Sequence, residues 1–465
     1  MEKSDNQGVS RRGFLSSAVK AGTVGALATG TILSACGDSA ISYEDLGLPE
    51  MLDKAPAGRK LKAGLVGCGN RGTGAALNFL AAGDGLEIVA LADVFEDKLT
   101  ECRNKLADKG AKVSENQCFV GFDAYQKLID LADVDVVLLA TPPHFRPEHF
   151  EACVKAKKPT FMEKPIAVDP VGIRKILASS KKAEAFKLNV VCGTQRRHQR
   201  DYVASFAQIA NGAIGQILSA KAYWNQAHLW YNERKPGQTD MEHMMRNWSN
   251  FTWLSGDHIV EQHVHNIDVI NWFAQKTPKF AIGYGSRQRR ITGDQYDNFS
   301  VDFDYGNGFS MHSMCRQIDD CANGIGEVIV GTKGLITLSD INPHRIFDFK
   351  GNVLWEYDYP KNEKGESTGR VKLTPYIQEH VDWVTAIRTG GYINDAEACA
   401  YSTLTGIMGR TAAYTGKKVT WEQMMKSDMR LGPAEYHMGD LDMTFEVPVP
   451  GAAVKTTSTI DNDQQ

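Results

Sequence analysis

Lys164 stands in Glu163-Lys164-Pro165, directly behind the short apolar run Pro159-Thr160-Phe161-Met162. An amine delivered by a strand to the edge of a sheet, and stripped of water there, can give or take a proton. A second set lies in Gly256-Asp257-His258-Ile259-Val260-Glu261-Gln262-His263-Val264-His265-Asn266-Ile267-Asp268. Read as one helix, it puts Glu261, His265 and Asp268 on one face, with His258 on the same side. A lysine and a histidine together can move a hydroxyl proton alongside a hydride. His258, Glu261, His263 and His265 could instead hold a metal, but their spacing is not that of an H-E-x-x-H site, and no metal is expected. They could also be polar core groups without chemistry. The third set is Gly67-Cys68-Gly69-Asn70-Arg71-Gly72, a loop able to cradle a pyrophosphate.

These groups need particular elements to carry them. Leu61 to Val66 reads as a strand running into the glycine loop, followed by helical periodicity through Ala75, Ala76, Phe79 and Leu80. A second strand, Glu87 to Ala92, ends in Asp93. Gly67 allows the tight turn, Gly69 lets the backbone approach a pyrophosphate, and Gly72 lets helix and strand pack closely. The helix N-terminus supplies free N–H groups. Asp93 can accept both ribose hydroxyls of NAD and would repel a 2′-phosphate. Val94 and Phe95 follow it rather than an arginine, so NAD is favoured over NADP.

Val134 to Ala140 reads as a buried parallel strand ending in Thr141-Pro142-Pro143-His144. Ligands of doubly wound sheets sit beyond the carboxyl ends of the strands, so Thr141, Pro142 and His144 should face the cofactor. From about residue 190 many strands recur with few helices: Ile217 to Trp224, Phe280 to Ser286, Asn298 to Tyr305, Gly308 to Cys315, Gly326 to Gly331 and Leu335 to Ser339. The fold expected is α/β, an N-terminal Rossmann domain followed by an α+β domain with a large, mostly antiparallel open sheet. Helices are expected over Tyr376 to Arg388 and Ala396 to Tyr414, the latter stopped by Gly416. Polar and aromatic residues cluster in the second half as they do in sugar sites, and Arg197, His198 and Tyr202 stand closest behind the Lys164 segment.

The glycine loop with its Asn-Arg pair, the Thr141-Pro142 turn and Glu163-Lys164-Pro165, in this order, resemble the glucose-fructose oxidoreductase/inositol dehydrogenase (Gfo/Idh/MocA) family. The likeness runs from about Lys60 to Met424. It implies that Asn70, Arg71 and Glu163 belong to the cofactor site and that Lys164 lies beside the nicotinamide and the reacting hydroxyl. In the family's D-x-x-x-H-x-x-D helix, the histidine is a general acid/base. Carried over, His265 takes that role, Glu261 replaces the usual first Asp beside the substrate, and Asp268 is the trailing acid. The resemblance also implies a homo-oligomer paired through the open sheet face. Arg146 occupies a turn position where the family often has His, a candidate for binding an acidic or carbonyl oxygen, or only a surface carboxylate.

Composition sets the outer limits. With 52 Lys+Arg against 56 Asp+Glu, 42% apolar and 23% charged residues, the chain is neither disordered nor a nucleic-acid binder, and it has apolar mass for two or three domains. Ser10-Arg11-Arg12-Gly13-Phe14-Leu15, a weakly hydrophobic stretch from Ala21 to Ala35 and Leu33-Ser34-Ala35-Cys36 read as a twin-arginine signal ending in a lipoprotein processing box. The organisation expected is a signal over 1–36, a tether over 37–59, a Rossmann domain over 60–188, a substrate domain over 189–424 and a tail over 425–465. The mature protein would be periplasmic, touching the membrane only through a lipid on Cys36.

Export and cofactor constrain each other. NAD is recycled in the cytoplasm, so an exported enzyme must leave folded, carry its NAD with it and regenerate it there. A sugar, polyol or glycoside oxidoreductase with tightly held NAD fits this best. A redox-neutral glycosidase similar to glycoside hydrolase family 109 is the alternative. A tethered sugar-binding protein without chemistry would need a degenerate Lys164 or glycine loop, and both are intact.

Overall fold

The computed structural model describes residues 41–443 and 445–452; the expected signal, Cys36 and the end of the tail lie outside them. The first half alternates strand and helix. It runs β1 (Leu61–Val66), α1 (Asn70–Ala81), β2 (Leu86–Asp93), α2 (Glu96–Ala107), β3 (Cys118–Val120), α3 (Ala124–Ile129), β4 (Val136–Leu139), α4 (Arg146–Lys155), β5 (Thr160–Met162), α5 (Pro170–Ala185) and β6 (Val190–Cys192). All six strands are parallel, in the order β3-β2-β1-β4-β5-β6. The order reverses between β1 and β4, which opens a crevice at their carboxyl ends.

The second half follows with α6 (Arg200–Ala210), β7 (Ile217–Gln226), α7 (Asp240–Arg246), α8 (Thr252–Ser255), α9 (His258–Glu261) and α10 (Val264–Ala274). Then come β8 (Phe280–Ser286), β9 (Asn298–Gly306), β10 (Phe309–Gln317), β11 (Gly324–Gly331), β12 (Leu335–Leu338), β13 (Arg345–Phe347) and β14 (Val353–Glu356). The last elements are α11 (Pro375–Thr389), α12 (Ala396–Thr415), β15 (Val419–Thr420) and α13 (Trp421–Lys426). Nine strands form one sheet, β14-β13-β12-β11-β7-β10-β9-β8-β15, antiparallel except where β7 meets β10. Alternation builds it: Phe299, Val301, Phe303 and Tyr305 of β9 point into the core while Asp302 faces out. The inward face packs on α10 and α12 through Ile267, Leu404 and Ile407.

Two boundaries differ from the sequence expectation. The Rossmann sheet takes in Val190–Cys192, beyond residue 188. Helix α11, expected in the second domain, returns to the first, where Val381, Trp383 and Val384 share a core with Leu61, Leu65, Phe79 and Phe161. Amphipathic periodicity shows that a helix has a buried face, not which sheet it will cover. Among the described residues all eight cysteines are free thiols, six of them buried. No helix among them is long and apolar enough to cross a membrane.

Candidate active site

The glycine loop connects β1 to α1. Gly67 has φ +96°, and a Cβ there would lie 2.6 Å from the Ala140 carbonyl carbon; one on Gly72 would lie 1.8 Å from the Gly67 oxygen. These two positions therefore exclude side chains on packing grounds. Gly69 differs, since nothing lies within 4 Å of its added Cβ, and its backbone faces open space at the start of α1. Asn70, exposed, opens that helix, whose first turn receives no side-chain cap. At the end of β2, Asp93 accepts N–H bonds from Cys68 at 2.6 Å and Phe95 at 2.8 Å, and burial pushes its carboxyl above the usual range. An open glycine, unmatched helix N–H groups and a carboxylate at the end of β2 are the donor and acceptor set that a dinucleotide requires. Arg71 closes the same side, donating Nε to Glu163 Oε1 at 2.5 Å, while its buried Nη2 has no hydrogen-bond partner.

The turns after β4 and β5 are tied together. Buried Arg146 donates to the Thr141 carbonyl at 2.6 Å and to the Pro165 carbonyl. The oxygens its guanidinium meets are backbone carbonyls inside the fold, which corrects the reading of a surface carboxylate as its partner. Thr141 also meets His149 Nδ1 through its hydroxyl at 3.2 Å, and Pro142 leads into the turn.

Lys164, one residue before the Pro165 tie, donates Nζ to the Glu261 carboxylate at 2.9 Å and to the Glu261 carbonyl. The carbonyl is free because the expected continuous helix does not form. α9 stops at Glu261, α10 starts at Val264, and the His265 N–H turns to Gln262 instead of Glu261. Local sequence periodicity holds through such a break, so it gave no sign of it. Both side chains of the pair remain about 10% exposed.

His265 stacks on Trp224, with ring centroids 5.5 Å apart. Burial and the nearby Lys164, Arg196 and Arg71 cations hold it neutral, well below the usual histidine range. Its buried Nδ1 has no hydrogen-bond partner. Lys164 and Glu261 are thereby in contact, and His265 lies within reach of the Lys164 charge.

The residues expected to bind substrate sit among protein partners. Tyr202 is fully buried and gives its hydroxyl to Glu327 at 3.1 Å, so it has no free face for a ligand. His198, also buried, bonds Asp382 at 2.7 Å and faces Asp395; these carboxylates raise its imidazole to about 10. Asp268 is bound on both oxygens by Arg197, at 2.8 and 2.9 Å, and takes Ser402 Oγ at 2.7 Å. Arg197 and Asp268 thus spend most of their polar capacity on each other. The carboxylates that claim these groups lie more than 70 residues away in sequence, so spacing could not reveal them. His144 sits at the expected turn, but its Nε2 bonds Tyr436 of the tail at 2.7 Å and its ring packs edge-on against Trp253.

Sequence reasoning also missed Glu379. This buried carboxylate on α11 lies 3.6 Å from Arg71 Nη2, and neither of its oxygens has a hydrogen-bond partner. Among the described residues no three His, Cys, Asp or Glu side chains converge as a metal site.

Comparison with known proteins gives this geometry its context. Residues 61–190 match the family model described as "Oxidoreductase family, NAD-binding Rossmann fold", and residues 203–337 match the GFO/IDH/MocA C-terminal domain. The chain is 30% identical to the myo-inositol 2-dehydrogenase of Thermotoga maritima over 156 residues, 34% of this chain and 42% of that protein. It is 25% identical to the inositol 2-dehydrogenase of Salmonella typhimurium over 284 residues, 60% of this chain and 74% of that one. Its fold is similar to scyllo-inositol dehydrogenase from Lactobacillus casei, solved with NAD(H) and scyllo-inositol, with a TM-score of 0.58 at 19% identity over 78% of this chain and 99% of that one. A levoglucosan dehydrogenase solved with NADH and levoglucosan gives 0.60 at 18% identity, with the same coverage of each chain. Together the two family models match more than half of the sequence, and the chain belongs to the Gfo/Idh/MocA oxidoreductases, with an NAD-binding Rossmann domain at its front.

Proposed function

We propose that this protein oxidises or reduces a carbinol centre of a sugar, polyol or glycoside while keeping its NAD bound. The observation that carries the reading is the Lys164 ammonium, fixed by two acceptors of Glu261, in the field of a neutral His265 whose Nδ1 lacks a partner. NAD, when bound, supplies the hydride acceptor. His265, held neutral, has an open Nδ1 that can accept a hydrogen bond from the reacting hydroxyl. Lys164, oriented by Glu261, donates a hydrogen bond to the same oxygen as negative charge develops on it. Glu261 prevents the flexible lysine from searching other rotamers. Trp224 offers a flat apolar face beside His265 on which the C–H face of a ring can rest. The compounds for which these relatives and neighbours are named, inositols and levoglucosan, are cyclic and polyhydroxylated, which supports this substrate class.

Export with NAD on board favours a closed redox cycle, either between two sugars or within one glycoside that is oxidised, cleaved and reduced again. Both use the same two residues. The test is to express residues 36–465, dialyse exhaustively, denature and quantify released nicotinamide nucleotide. Near-stoichiometric NAD is the expected result, followed by turnover of sugar pairs or aryl glycosides without added NAD. A protein that loses its nucleotide and turns over only with free NAD would remove the tight-binding reading.

The twin-arginine signal, the lipid on Cys36 and a periplasmic location belong to the same proposal. Replacing both Arg11 and Arg12 by Lys should retain the protein in the cytoplasm, and Cys36→Ala should release it from membranes. Pairing of two copies through the open sheet face, where Ile282 and Tyr284 are exposed, is the expected assembly and is read by light scattering.

A further inference from the structure

Two segments outside the catalytic centre meet over the Rossmann crevice. One is the arm from His228 to Phe251, between β7 and α8; the other is the tail from Asp428 to Phe445, which lies beyond both family matches. They hold each other. The Met241 N–H bonds the Gly439 carbonyl at 3.1 Å, the Leu441 N–H bonds Asp240 at 3.2 Å, and Phe251 packs edge-on against Phe445. Together they press on the residues that follow three successive parallel strands: Val94 and Phe95 after β2, Phe122 after β3, and His144 and Phe145 after β4. Tyr436 is the centre of the contact, stacked on Phe122, edge-on to Phe145 and bonded to His144 Nε2 at 2.7 Å. The tail lies so close there that a Cβ on Gly432 would come 2.7 Å from the His144 ring and 2.9 Å from Trp253. On the far side Arg246 covers the Phe95 ring at 4.0 Å and grips Asp97 through both terminal nitrogens at 3.0 Å.

The carboxyl ends of these strands are where a doubly wound sheet takes its dinucleotide, and Asp93 immediately precedes Val94. We infer that the arm and tail are a further part of the cofactor site, an outer wall latched by Tyr436–His144 and Arg246–Asp97 that must open before NAD can leave or enter. The inference rests on the reading of NAD as a resident group and assigns that residence to named contacts. A wall of this kind slows entry and exit together, so it changes exchange rate more than affinity.

The test uses the purified full-length holoprotein. NAD-loaded protein is mixed with excess 1,N6-etheno-NAD, and its uptake is followed by fluorescence in wild type, Tyr436→Phe, Arg246→Met and the double variant. Each single variant should exchange several-fold faster and the double at least about tenfold faster, with little change in equilibrium affinity. Equal exchange rates in all four proteins would overturn the assignment, as would an affinity loss that accounts for the whole rate change. Thermal unfolding of each variant is the control; Tyr436→Phe, which loses one hydroxyl and keeps its ring contacts, remains informative if Arg246→Met destabilises the fold. If wild-type protein exchanges within seconds, the reading of resident NAD fails first. If wild type exchanges slowly and the variants do likewise, that reading stands and only the wall is lost.

Discussion

Lys164 finds both its acceptors on a single residue, which makes Glu261 a positioning group for the amine. Replacing Lys164 by Ala should leave NAD content unchanged and lower turnover about a thousandfold; turnover within tenfold of wild type would remove it from the chemistry. Asp93→Ala should weaken NAD about tenfold and narrow the preference over NADP, measured by titration with both nucleotides. Lys164 meets Glu261 97 residues away and was legible only through the resemblance of its motif, whereas the glycine loop was legible because its turn and helix start lie within a few residues of Gly67. Tyr202 and His198 were misread for the opposite reason. Their types suit sugars, yet distant Glu327, Asp382 and Asp395 satisfy them first.

At the scale of elements, the short turn Gln195–His198 behind β6 carries three consecutive cations into four carboxylate partners. Arg196 meets Glu327 and Asp340, Arg197 meets Asp268, and His198 meets Asp382. This turn docks the nine-stranded sheet, α10 and α11 on the end of the parallel sheet. His198 makes the docking pH-dependent. Its folded value is raised from 6.5 to about 10, so its stabilisation is full below about 6.5 and is lost as pH rises through 10. Denaturant midpoints should therefore fall between pH 7 and 10 in the wild type, and fall less in His198→Gln. That variant should itself cost roughly 3 kcal/mol at pH 6, because Asp382 is left buried without its cation. Element types were legible where alternation or helical periodicity was long, as in β8, β9 and α12. The short strands β13, β14 and β15 carry too few residues to declare a period, and the break between α9 and α10 interrupts no hydrophobic pattern at all.

Over the whole molecule, the sequence pointed to two domains and their order, because a parallel βα repeat and an antiparallel series have different textures. It did not show how they are sewn together. The tail had no periodic signal, and yet Leu431, Tyr436 and Met443 pack over the first domain's loops, since an irregular segment can be held by single side chains without any repeat.

The return of α11 has a consequence for inheritance. Trp383 is among the largest fully buried side chains and belongs to the Rossmann core, although it lies nearly 200 residues past the last strand of that sheet. The nucleotide-binding half is therefore not a transferable cassette. A recombination joint or a protease cut near residue 194 would leave it with an open apolar seam. A fragment of residues 59–194 should lack a cooperative thermal transition, and a peptide of residues 372–395 added in trans should restore one; a fragment that melts cooperatively alone would show that the seam closes without help. With this connection, each half carries part of the other's core, and a change at Trp383 is felt in the first domain as much as in the second.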